Sequence, residues 1–208
     1  MIVEFVGPSC AGKSTLVLSA WQQLLLLGVT AHRHKADRDG AEYDPSQTPA
    51  PEADWLAANP GILDDHRMWP LLRSVAFMRS LSGQAAVHLV DGGPIKRCTY
   101  GLWQVIDRCG GREALANWLP RPDLAVLVDC DPQVRIARVR TTNRSHARGQ
   151  IDEELHARHE FALAQARWIR DELGVPMLHV DTTDCHDHGP SVAEQVVARR
   201  IQRGDDLV

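Results

Sequence analysis

The chain has 208 residues, 44% of them hydrophobic and 24% charged, with a formal net charge of −4. That length suits one well-buried α/β domain, and the acidic balance excludes a polybasic coat for nucleic acid or a membrane surface. No apolar run approaches the roughly 20 residues that a membrane-spanning helix needs.

Met1 to Val6 is a short apolar run of strand type. It leads straight into Gly7-Pro8-Ser9-Cys10-Ala11-Gly12-Lys13-Ser14, which reads G-x-x-x-x-G-K-S. Thr15 to Leu27 then has helical periodicity, with Leu16, Val17, Ala20, Leu24 and Leu27 on an apolar face. Strand, glycine loop and helix in this order form a phosphate-binding P-loop. Its backbone N–H groups wrap a phosphate, and the helix N-terminus adds partial positive charge. A plain glycine turn before a helix is the competing reading, but the motif, its position and both flanks agree on phosphate. The expected nucleotide-binding set is therefore Gly7, Pro8, Ser9, Cys10, Ala11, Gly12, Lys13, Ser14 and Thr15, with Cys10 contributing only its backbone. Lys13 reaches β- and γ-phosphates in such a site, and the Ser14 hydroxyl ligates Mg²⁺.

Gly28 stops the first helix, and Val29 to Lys35 reads as a second strand. The segment 37–61 breaks the pattern, with Pro45, Pro49, Pro51 and Pro60 among several acids. A stretch this long without periodicity is expected to be a substrate-side insertion or lid. Asp37, just past the second strand, is a candidate to accept a proton from a substrate hydroxyl or to hold metal, with Asp39 close enough to take that role. Ile62 to Ser82 reads as helix, with a kink or boundary at Pro70. Arg67, Arg73 and Arg79 along it are candidates for an anionic group of a second substrate. Trp55, Trp69 and Trp103 are candidates for stacking, with core packing the commoner use.

Ala85 to Val90 is a third strand, ending at Asp91 and the turn Gly92-Gly93-Pro94. Asp91 closes an hhhhD pattern, as a Walker B acid does, and is the candidate second holder of Mg²⁺ beside Ser14. Cys98 to Trp118 reads as mostly helical, interrupted at Gly110-Gly111. Leu124 to Val128 is a fourth strand, and Asp129 at its end is the alternative Walker B acid. Asp131-Pro132 beside it looks like a helix start.

Gln133 to Arg140 begins a helix that passes into an arginine-rich stretch. Arg135, Arg138, Arg140, Arg144 and Arg148 fall between positions 135 and 148 of an otherwise acidic chain. Guanidinium forks stabilise the charge that spreads over oxygens during phosphoryl transfer, so residues 135–150 are expected to form a lid. Asp152 is a good N-cap for a helix to Leu173, which Gly174 and Pro176 end. Met177 to Val180 is a last strand and Ser191 to Gln202 a closing helix. Cys185-His186-Asp187-His188 lies in the loop between them. Its spacing is too tight for a typical zinc site. The cysteines at 10, 98, 109, 130 and 185 form no CxxC pair and no framework, as expected of reduced thiols in a cytoplasmic protein with no secretion signal.

Apolar strands alternating with helices predict a three-layer α/β/α sandwich around a five-stranded parallel sheet, in one domain spanning 1–208. The candidate residues come after strand ends, where such sheets bind ligands.

These residues resemble the nucleoside- and nucleotide-kinase branch of P-loop kinases, and most closely its thymidylate-kinase-like group. Pro122-Asp123-Leu124 through Asp131-Pro132, with arginines after them, looks like that group's fourth strand and the approach to its lid. Glu160-Phe161 and the helical residues beyond them look like its post-lid helix. The resemblance implies ATP and Mg²⁺ as ligands. It makes Lys13, Arg144 and Arg148 transition-state stabilisers, and Asp37 and Asp91 acids near the acceptor, with Arg138 on the nucleotide. It also has departures. The group carries an Asp-Arg pair after its third strand, where this chain has Asp91-Gly92-Gly93-Pro94. Its Arg-Glu-Pro-Gly-like segment is replaced by Lys35-Ala36-Asp37-Arg38.

The expected activity is transfer of the γ-phosphoryl of ATP to a small-molecule or nucleotide-like acceptor, with no membrane partner. A polynucleotide acceptor is open but not favoured, and a homodimer is compatible with the sequence. The alternative is a regulatory NTPase or nucleotide-binding module without a small-molecule acceptor. A GTPase is disfavoured, because there is no Asn-Lys-x-Asp signature. A remodelling ATPase is disfavoured by the Asp-Gly that closes the third strand.

Overall fold

The computed structural model describes residues 1–36, 43, 48–62, 64, 68–98, 111–142, 152–184 and 186–204. Five strands build the sheet: β1 (Ile2–Val6), β2 (Ala31–Lys35), β3 (Val87–Asp91), β4 (Leu124–Asp129) and β5 (Met177–Asp181). All pairings are parallel, in the order β2-β3-β1-β4-β5. β1 and β3 are buried along their whole length, which is why they read as apolar runs rather than alternating ones. The helices are α1 (Lys13–Leu26), α2 (Ala50–Ala58), α3 (Trp69–Leu81), α4 (Pro94–Cys98), α5 (Gly111–Trp118), α6 (Pro132–Thr141), α7 (Asp152–Asp171) and α8 (Gly189–Arg203).

The side chains of β1 divide the core. Val3 and Phe5 face α1 and α8, where Leu16, Val17, Ala20, Leu24, Val192 and Val196 pack against them. Ile2 and Val6 face the other layer, formed by α2, α3, α5 and α7 through residues such as Trp55, Leu71, Leu72, Trp118 and Ile169. This is the three-layer sandwich. Each fully buried side chain of this kind contributes about 1.5–3 kcal/mol. Among the described residues, no helix is long and apolar enough to cross a membrane.

Two expectations shift, and one choice between two readings is decided. The second strand starts at Ala31, because Gly28 (φ 75°) and Val29 close α1 instead, donating to the carbonyls of Leu25 and Leu24. Of the two readings of Pro70, kink or boundary, the structure has the boundary, and the helix begins at Trp69 rather than Ile62. Pro70 lies in the first turn of α3, where a missing N–H costs nothing. The segment 37–61 does contain regular structure: residues 50–58 are α2, with Pro49 and Pro51 at its start. Prolines scattered by count are there a helix-start cluster. Residues 37–42 and 44–47 lie outside the described set.

Candidate functional site

The loop after β1 owes its shape to backbone angles. Gly7 (φ 130°), Cys10 (φ 64°) and Gly12 (φ 90°) all adopt left-handed conformations. A Cβ on Gly7 would lie 2.1 Å from the Val128 carbonyl oxygen, so the loop runs flat against β4 and only glycine fits there. Lys13 Nζ donates to the carbonyls of Gly7, at 2.9 Å, and Pro8. Its ammonium is thereby held over the concave side of the loop.

A threonine beyond β5 anchors the same loop. Thr182 Oγ1 lies 2.8 Å from the Ala11 carbonyl and 3.0 Å from that of Asp129, so one hydroxyl ties the loop to the end of β4. Arg138, on α6, donates to Thr182 Oγ1 at 3.2 Å and to its carbonyl at 2.7 Å. A cation is thus fixed beside the loop from a third element. α6 itself begins at Asp131, whose carboxylate accepts from the amides of Gln133 and Val134.

The two candidate Walker B acids separate cleanly. Asp91 Oδ2 accepts a hydrogen bond from Ser14 Oγ at 2.8 Å. Asp129 turns away: it accepts from its neighbour Cys130 N–H and faces buried His159 on α7, 3.3 Å from Nε2, and His179. Ser14 and Asp91 present hard oxygen atoms side by side at the end of the loop, a donor set that fits Mg²⁺. Among the described residues, no group of three or more His, Cys, Asp or Glu could hold a metal ion. Asp187, in the loop before α8, accepts from Ser19 Oγ at 2.5 Å.

The turn after Asp91 rests on a buried acid. Glu4, on β1, is fully buried and accepts the Lys96 N–H at 3.0 Å. Burial pushes its carboxyl up to about 8, against hydrogen bonds from the Lys96 and Ile95 amides and the charges of Lys96 and Arg97. A Cβ on Gly93 would lie 2.7–2.9 Å from that carboxyl, so the turn passes directly over it. Lys96 Nζ lies 3.9 Å from Asp91 Oδ1. It fills the space a side chain on Gly92 would need.

The phosphate loop, Asp91, Lys96, Arg138 and Thr182 line one cavity of about 1100 Å³ at the carboxyl ends of the strands. Of the expected residues, Ser9, Cys10, Gly12, Lys13, Ser14, Thr15, Asp91 and Arg138 line it, while Gly7, Pro8 and Ala11 shape the loop through their backbones. Asp37, Arg144 and Arg148 lie outside the described residues. Arg79 is not a substrate arginine: it pairs with buried Glu52 and donates to the Trp118 carbonyl. Trp55 packs on Trp118 with ring centroids 5.1 Å apart, and so belongs to the core. Glu4, Lys35, Lys96, Arg97 and Thr182 were not anticipated. A charged residue inside an apolar first strand, and a Lys-Arg pair just after a strand-end acid, were the available signals for Glu4, Lys96 and Arg97.

No family model matches the chain, and no curated protein is significantly similar to it. Solved structures do match. The deoxyadenosine kinase of M. mycoides with bound dATP aligns with a TM-score of 0.58 at 11% identity, covering 97% of this chain and 100% of that one. The same kinase with bound dCTP aligns with a TM-score of 0.56 at 12% identity, covering 95% and 99%. The chain therefore shares the fold of that kinase over nearly its whole length, at low sequence identity.

Proposed function

We propose that the protein is an ATP-dependent kinase that transfers the γ-phosphoryl group to a small nucleoside- or nucleotide-like acceptor. The observation that carries this reading is the hydrogen bond between Ser14 and Asp91 inside a cavity floored by an intact phosphate loop. In this reading the loop amides and Lys13 bind the triphosphate tail, and Arg138 flanks it. Ser14 and Asp91 would hold Mg²⁺, which would supply charge neutralisation for the triphosphate. An acceptor oxygen forms its bond to the γ-phosphorus as the bond to the β–γ bridging oxygen breaks, and that electron pair leaves on ADP. Where the acceptor is a hydroxyl, its proton passes to a carboxylate; Asp37 is the proposed base. Arg144 and Arg148, which come after α6 in sequence, are the proposed lid arginines. Fold likeness to deoxyadenosine kinase supports a nucleoside-like acceptor, and a cytoplasmic setting suits both ATP and reduced thiols.

The test is to incubate the protein with ATP and Mg²⁺, with and without an acceptor library, and to follow ADP and phosphorylated product. A kinase forms ADP slowly alone and much faster with one acceptor class. Lys13→Ala and Asp91→Asn each lower the transfer rate by about 10²–10³-fold. ADP release at one rate whatever the acceptor, or an unchanged rate in Lys13→Ala, overturns the assignment.

A further inference from the structure

We infer that Cys10 acts through its side chain as well as its backbone: it is a positioning residue that fastens the phosphate loop to the junction of α6 and α7, so that nucleotide in the loop steadies α7. The inference rests on the kinase reading, in that the loop must bind a nucleotide. Among the described residues other than glycine, Cys10 is the one with a positive φ, 64°. A left-handed backbone is costly for a residue with a Cβ, and cysteine lacks the amide or carboxylate with which asparagine and aspartate offset it. Glycine would be free of that cost, as at Gly7 and Gly12. The surroundings of the Cys10 side chain show what is gained in exchange.

That side chain packs on a small apolar cluster of Ile136 and Val139 from α6 and Leu155 from α7. Its Sγ lies 3.7 Å from Thr142 Oγ1, at the C-terminal end of α6. The Thr142 hydroxyl donates to the Val139 carbonyl at 3.2 Å, so the thiol is the donor between the two. The junction is also held from inside: Arg135 of α6 is buried and donates to the Leu155 carbonyl. One turn further along α7, buried His159 faces Asp129, whose own carbonyl is tied to the loop through Thr182. Among the described residues that line the cavity, none belongs to α7. The described part of α7 would thus sense a nucleotide through intermediates, and Cys10 is a loop residue packed on the cluster to which Leu155 belongs. Phosphate fixes the amides of such a loop, that of Cys10 among them. A fixed backbone at Cys10 holds its side chain in the cluster, and a side chain held by the cluster presets the loop for phosphate. The coupling is reciprocal, as linkage requires.

The test is amide hydrogen exchange, followed by mass spectrometry with and without a non-hydrolysable ATP analogue and Mg²⁺. In the wild type the analogue should slow exchange in residues 152–160 of α7 about fivefold or more. Cys10→Gly relieves the backbone and deletes the side chain. In that variant the analogue should still protect α1, while its protection of 152–160 falls below about twofold. Cys10→Ser, which keeps a donor for Thr142, should restore part of it. Thr142→Val breaks the same link from the other side with the loop backbone intact, and it decides alone should Cys10→Gly fail to fold or to bind. A contact that is merely structural would raise exchange in 152–160 equally in free and bound protein. That result, protection that survives both Cys10→Gly and Thr142→Val, or a wild type in which the analogue protects α1 and not α7, overturns the inference and leaves nucleotide binding standing. An analogue that protects neither helix in the wild type overturns the kinase reading, and the inference with it.

Discussion

The two ends of the cavity are made of different material. The phosphate-loop end is made of backbone: left-handed turns at Gly7, Cys10 and Gly12, carbonyls that hold Lys13, and a hydroxyl that pins Ala11. The β2–β3 end is made of side chains: Lys35, Asp91, Lys96 and Arg97, drawn from three elements, with buried Glu4 of β1 accepting the Lys96 amide behind them. Backbone geometry recognises what all nucleoside triphosphates share, and it tolerates no side chain where chain meets chain. A set of side-chain charges can be retuned one residue at a time, and it responds to pH. The largest expected effect therefore falls at the loop. Gly7→Ala forces a methyl group onto the Val128 carbonyl in a backbone conformation that alanine avoids. We expect roughly 2–4 kcal/mol of destabilisation in a urea melt, with loss of ATP binding. An unchanged midpoint would mean that β4 does not brace the loop.

The side-chain end should reveal itself through pH. The Glu4 carboxyl rises from its ordinary 4.5 to about 8 through burial, so the folded state holds a proton that the unfolded chain releases between those values. Its contribution to stability is complete below pH 4.5 and is lost as pH climbs towards 8. His88 works in the opposite sense. Burial, and after it the charges of His34, the N-terminus and His32, lowers it from 6.5 to about 4. The unfolded chain binds that proton first, so stability rises from pH 4 to 6.5. These two slopes cancel between about pH 4.5 and 6.5, and Glu4 alone acts above that. Stability should hold level over the first interval and fall from pH 6.5 to 8. Glu4→Gln, which keeps an oxygen for the Lys96 amide, should abolish the fall and expose the rise due to His88. A variant that still loses stability between pH 6.5 and 8 would assign the slope to another group.

The same division governs what the sequence discloses. Gly7 to Thr15 is one contiguous phrase, because each residue's task is a backbone angle or a position relative to the next residue. Asp91 was legible because it ends a buried strand, and a buried strand leaves a run of apolar letters. Asp91 ranks above Asp129 in the sequence, but both end such runs and both strands flank β1; the hydrogen bond from Ser14 is what singles out Asp91. The β2–β3 end is spread over positions 4, 35, 91, 96 and 97. No spacing rule joins residues that meet only through parallel pairing. Arg79 and Trp55 were ambiguous for a related reason. Their residue types suit both a ligand and a core, and their partners, Glu52 and Trp118, are far away in the chain. Helix α2 was hidden by prolines whose number suggested a loop and whose positions suit a helix start.

The smallest expected effect is the one that best separates the two ends. Thr182→Val keeps the shape of the side chain and removes the hydroxyl that serves Ala11, Asp129 and Arg138. Arg138 keeps its bond to the Thr182 carbonyl, so the arginine is loosened rather than released. The cost should be about 1 kcal/mol in stability. KM for ATP should rise about fivefold, because that energy is about what the loop loses in order. The acceptor KM should not move, since the bonds of Thr182 run to the loop, to the end of β4 and to α6. Thr182→Ser, which restores the hydroxyl, should recover the ATP value. If the acceptor KM shifts together with that of ATP, the two ends are mechanically joined through the loop, and the division between a backbone-made and a charge-made half fails.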